Sequence, residues 1–100
     1  MDALPQVPDA ADLPKSPTAY AISAGRHACA VAGRPPLDVY LWEVVVRRAS
    51  GHYAPVLRGL AGTLPVAAAS AAVAVRRALA DHGDLGALPD LDPVAAPCGR

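Results

Sequence analysis

The segment from Thr63 to Gly83, TLPVAAASAAVAVRRALADHG, constrains this chain more than any other, because its start, its stop and its periodicity all agree on a helix. Thr63 is a capping residue, and Pro65 falls in the first turn, where a missing N–H costs nothing. Arg76 and Arg77 lie toward the negative end, and Gly83 supplies a left-handed stop. At about 100° per residue, Leu64, Ala68, Ala71, Val75, Leu79 and His82 share one face, while Ser70, Arg76, Arg77 and Asp81 gather on the other. The middle of the apolar face is alanine, so another backbone can come close to it.

The rest of the chain is read against this rod. Residues 1–16 hold Pro5, Pro8 and Pro14 among Asp and Ala, which favours an extended tail; its PxxP spacings are of the kind that chance produces where proline is common. Ser16-Pro17 resembles a cap with a first-turn proline, and Gly33 before Pro35 and Pro36 resembles a stop, so a helix is expected from Pro17 to Ala32. The competing reading there is a hairpin turning at Gly25.

Residues 37–50, LDVYLWEVVVRRAS, carry conflicting signals. Val39, Tyr40, Trp42 and Val44 to Val46 are strand formers. Leu37, Leu41, Val44, Val45 and Arg48 recur at helical spacing, Glu43 precedes Arg47 by four, and Gly51 follows as a stop. The end signals favour a helix, followed by a short one over 52–60. In the strand alternative, Ser50-Gly51 turns the chain and His52 to Leu57 returns, weakened by Pro55. The expected fold is therefore an all-α, four-helix domain over 17–83 between tails 1–16 and 84–100. The runner-up is an α+β fold with a β-hairpin at 39–57 packed on the helix 63–82.

Charge is divided along the 100 residues. Residues 18–83 carry seven arginines against Asp38, Glu43 and Asp81, a balance of +4, while each end carries −2. The pairs Arg47-Arg48 and Arg76-Arg77 would suit phosphates, but a base-reading helix needs long polar side chains, and from Leu64 to Val75 only Ser70 is polar. In the second tail, Asp84, Asp90 and Asp92 alternate with Leu85, Leu88 and Leu91, a mixture expected to pack back on the long helix. The longest uncharged apolar run, Leu64 to Val75, is 12 residues where about 20 are needed to span a bilayer. The acidic, proline-broken opening does not resemble a secretory signal, so a cytoplasmic protein with reduced thiols is expected. Its Ala, Arg and Pro richness resembles high-GC bacterial coding.

Chemical motifs are sparse. His27, Cys29, His52, His82 and Cys98 are the only soft metal ligands, and none stands in a CxxC, HxxxH or HExxH spacing. There is no nucleophile elbow, paired-carboxylate spacing, phosphate loop or dinucleotide fingerprint, so no catalytic residue, metal or cofactor is expected. A core built largely from alanine, without Phe, buries little area per residue and is often supplemented by association. The function expected is a non-catalytic interaction or accessory module, a homo-oligomer or an accessory to a larger protein, docking through Trp42, Ala68, Ala71, Val75 and Leu79. The alternatives are a nucleic-acid-associated regulator using Arg47, Arg48, Arg76 and Arg77, and a small enzyme or enzyme subunit.

Overall fold

A computed structural model describes residues 13–29 and 37–92. It contains three strands, β1 (Tyr20–Cys29), β2 (Leu37–Arg47) and β3 (Tyr53–Ala61), one helix, α1 (Leu64–His82), and a short 3-10 turn at Leu85–Ala87. The strands form one antiparallel sheet in the order β1-β2-β3, and α1 lies against one of its faces. This α+β arrangement replaces the expected four-helix, all-α domain. Among the described residues, the stretches expected as helices within 17–32, 37–50 and 52–60 carry β1, β2 and β3 instead, and β1 runs straight through Gly25 without turning.

Local chemistry explains the replacement. In β2 the run Val44 to Val46 follows Trp42, and β-branched and aromatic side chains lose rotamer freedom in a helix but pack well on a pleated surface. Gly51 does not stop a helix but lies in the hairpin after β2, as in the strand alternative. The Gly51 N–H donates to the Arg48 carbonyl and the Arg48 N–H to the His52 carbonyl, both at 2.8 Å, with Gly51 at φ 92°. This is a three-residue loop whose last residue is left-handed, and glycine suits that position as well as it suits a helix stop. Pro55 is tolerated because its backbone faces outward. Its carbonyl accepts from the Leu91 N–H at 2.8 Å, so the absent proline N–H lies on the side away from β2, and the ladder shifts register beside it at Val44/Val45.

The long helix is as expected. Thr63 Oγ1 accepts from the Val66 N–H at 3.3 Å, and Gly83, at φ 79°, donates its N–H to the Leu79 carbonyl. Its buried stripe is Ala67, Ala71, Val75 and Ala78, seated on Ile22, Ala24, Trp42, Val44 and Val46 of the sheet. That stripe is turned by about 40° from the face expected through Leu64, Ala68 and Leu79, which flank it, and His82 is exposed. Leu64 and Leu79 bias a periodicity estimate, whereas the alanines allow the helix backbone to come closest to the sheet.

Gly59 shows how tight this layer is. A β-carbon there would lie 2.6 Å from Cζ2 of Trp42, whose ring fills the space above it, while a β-carbon at Gly25 would meet nothing within 4 Å. Gly59→Ala should therefore cost about 1–3 kcal/mol by forcing the indole to shift. Gly25→Ala should be neutral or stabilising by up to about 1 kcal/mol. Urea denaturation of both variants beside the wild type measures the contrast.

Candidate functional site

An apolar groove of about 570 Å³ runs along one flank of α1. Its helical wall carries Ala69, Val73, Ala74 and Ala78, and the facing wall is Leu57 of β3 and Leu88 from the segment that follows the helix. Successive turns of a helix place residues 69, 73 and 77, and likewise 70, 74 and 78, on one side, so the alanine-rich sequence makes this flank shallow as well as apolar. Val73, 49% exposed, is its largest open hydrophobe, and Ser70, Arg77, Asp81 and His82 provide the polar groups. Ser70 and His82 are 12 residues apart, roughly 18 Å along the axis, so they cannot meet as nucleophile and base.

The facing wall is fixed by two arginines. Arg48 donates from Nη1 to the Gly86 carbonyl (2.8 Å), from Nη2 to the Leu88 carbonyl (2.7 Å) and from Nε and Nη2 to Asp90 Oδ1 (3.0 and 2.6 Å). Its planar fork thus gathers three residues of the 84–92 segment into a strap. Arg58 donates from Nε and Nη2 to Glu43 Oε2 (3.0 and 2.6 Å) and from Nη1 to the Asp92 carbonyl (3.0 Å). Since Glu43 and Arg58 are directly opposite each other on the face turned away from α1, the strap passes around the outer edge of β3.

Asp84 anchors the other end of the strap. Its carboxylate accepts from Thr18 Oγ1 (2.8 Å), the Thr18 N–H (3.0 Å), Ser16 Oγ (3.1 Å) and the Gly86 N–H (3.2 Å). These donors, Thr18 first and Gly86 next, hold its pKa below the ordinary carboxylate range. Ser16 Oγ also accepts from the Leu85 N–H at 3.3 Å, so Ser16 caps the 3-10 turn that is distant in sequence rather than a helix beginning at Pro17. The Tyr20 hydroxyl donates to the Pro14 carbonyl, and its burial raises its pKa against the opposing effect of Arg76.

The residues singled out in the sequence fall in different places. Trp42 is 8% exposed and faces the core; Ala71 and Val75 are fully buried under the helix, and Ala68 and Leu79 border them. Arg48 is engaged in the strap, Arg47 points to the sheet face away from α1, and Arg76 and Arg77 are on the helix, so the two pairs do not form one basic surface. His27 occupies β1, His52 Nδ1 is hydrogen-bonded with Ser50 Oγ in the hairpin, and His82 is at the end of the groove. The Cys29 side chain, Cys98, the 5-to-8 proline spacing and the Gly33-to-Pro36 stop lie outside the described residues. Among the described residues no group of three His, Cys, Asp or Glu side chains is placed to hold a metal ion, and no helix is long and apolar enough to cross a membrane. Sequence reasoning missed the roles of Arg58 and Asp84. The available signal was the near-mirror placement of Glu43 and Arg58 about Ser50, which only the strand alternative makes visible.

Two measurements follow from the strap. Arg48→Ala should cost about 1–3 kcal/mol in urea denaturation, with Arg48→Lys recovering only part, whereas Arg47→Ala should stay within about 0.5 kcal/mol. Because the folded-state pKa of Asp84 is lowered, its stabilisation is present above the unfolded-state value and lost as pH falls through the folded one. Asp84→Asn should therefore be less stable than wild type near about pH 6, and the gap should close as both are titrated toward about pH 2. Comparison of the chain with protein-family models, with curated proteins and with solved structures finds no match.

Proposed function

We propose that this chain is a small, non-catalytic, cytoplasmic interaction or accessory module that receives apolar side chains of another protein along the alanine-rich flank of α1. The observation that carries this reading is the groove itself, with Val73 open at its centre and Leu57 and Leu88 opposite. Its volume falls within the range of small-molecule clefts, but its polar groups are strung along the helix instead of converging on one point. That distribution favours a partner's helix or extended segment, which presents anchors at intervals. The buried face of Ala71 and Val75 is occupied by the chain's own sheet, so the surface offered to a partner is the adjoining flank and not the stripe expected from periodicity.

The strap supports the same reading. Leu88 reaches the groove only because Arg48 and Asp84 hold the backbone around it, which preforms one wall before a partner arrives. No observation favours phosphate binding in a comparable way, since Arg47 faces away from α1, Arg48 is engaged in the strap, and Arg76 and Arg77 lie on the helix.

Affinity capture from the chain's own cells with wild type and two variants tests the proposal. Val73→Asp, in the groove, should reduce capture of a specific protein by at least about tenfold, while Val66→Asp, equally exposed but outside the groove, should retain it. Identical capture by all three chains would contradict it.

A further inference from the structure

The outer side of α1 carries its exposed hydrophobes in a regular line. Val66 and Val73 are 52% and 49% exposed, and with Tyr53 they are the exposed large hydrophobes of the described residues. Seven positions separate them and seven more lead to the exposed Ala80, so the three stand in line along the helix, about two turns apart. Ala69 and Arg76 fill the intervals, and the line lies roughly opposite the buried stripe of Ala67, Ala71, Val75 and Ala78. Ala69 and Val73 also border the groove; Val66, Arg76 and Ala80 do not.

The charges beside this line are placed for an antiparallel neighbour. α1 has no acidic residue in its first turn, while Asp81 stands in its last, at the end where the helix dipole is itself negative. Arg76, Arg77 and Asp81 are exposed and make no hydrogen bond or ion pair among the described residues. We infer that this face docks on the same face of a second copy, the two helices antiparallel about a two-fold axis at Val73, the midpoint of α1.

The face is its own complement in this register. Val73 meets its counterpart on the axis, and Val66 meets the small Ala80 of the second copy, twice. Arg76 and Arg77 come level with Ser70 and Ala69 across the axis, so their stems lie over small residues while their heads reach solvent. Asp81 comes level with Pro65, beside a first turn that has no acid of its own. A parallel pairing instead sets Arg76 against Arg76 and Asp81 against Asp81. The antiparallel one keeps the two Arg76 positions about 9 Å apart along the helices, beyond the screening length of about 8 Å in physiological salt. The core supplies a motive as well, being assembled largely from alanine and valine and so gaining from any area that association removes from water.

This inference goes beyond the groove reading, and Val66 separates the two. Sedimentation of the full chain should give twice the monomer mass. Val66→Asp and Val73→Asp should each weaken dimerisation by at least roughly tenfold, because each sets a carboxylate into an apolar seam, while the circular dichroism spectrum is retained at these exposed positions. Val66→Asp should thus lose the dimer yet keep the groove's partner. If the mass falls in both variants while Val73→Asp leaves capture intact, the dimer stands and the groove reading fails. In a Cys29→Ser, Cys98→Ser background, nitroxide labels on His82→Cys should lie about 27 Å apart along the paired helices, where a parallel pairing would bring them to about 10 Å. A monomer at the highest soluble concentration, a dimer that survives Val66→Asp, or the short label distance overturns the proposal; the label distance decides even where an Asp variant fails to fold.

Discussion

Everything else in this chain depends on a close contact between small residues. Ala67, Ala71, Val75 and Ala78 form a low ridge that lets the backbone of α1 approach the sheet, and Trp42, Val44 and Val46 rise from β2 to meet it. Interiors are packed to crystal-like density, so a core with few large side chains reaches that density by bringing backbones together. The same economy explains Gly59, where the absence of a side chain leaves room for the one indole. With one helix on one face, the layer remains thin and its periphery needs other fastenings.

Those fastenings are polar and long-range. Arg48 gathers the strap carbonyls, Arg58 joins Glu43 to Asp92, and Asp84 ties the strap to the residues leading into β1. Each guanidinium spends its donors on backbone carbonyls as well as on a carboxylate, which gives direction as well as charge and exceeds what an isolated surface pair contributes. This use of charge also shapes the functional reading. The basic excess of the middle segment is partly consumed in closing the fold, where Arg48 pairs with Asp90 after the helix and Arg58 with Glu43 of the same sheet. One edge of the sheet is sealed in the process and one wall of the groove is set.

The sequence was legible where signals are local. Thr63 and Gly83 mark the helix ends because a cap and a left-handed residue act within one turn of themselves. It was misleading where one residue serves two structures. Gly51 with positive φ closes a hairpin, although a glycine after two arginines also reads as a helix stop. Ser16 is a capping residue as its type suggests, yet the turn it caps begins at Asp84, and no window of neighbouring residues reveals that pairing. For 39–57 the strand alternative was the correct one, and extending it by one residue pairs Glu43 with Arg58; β1 was foreseen only as a hairpin turning at Gly25, because Ala21, Ser23 and Gly25 show little strand preference away from their partners. The groove was less visible still, since its walls come from the helix, from β3 and from the strap.

The seating of α1 on the sheet is tested most directly at Ala71, which is fully buried at the middle of the ridge. The account predicts that Ala71→Leu, an apolar residue with high helix propensity, lowers the unfolding free energy by about 1–3 kcal/mol in urea because the helix cannot remain at its present distance. Unchanged or increased stability would mean that the helix does not lie against β2 through its alanines, and would contradict the architecture from which the groove is derived.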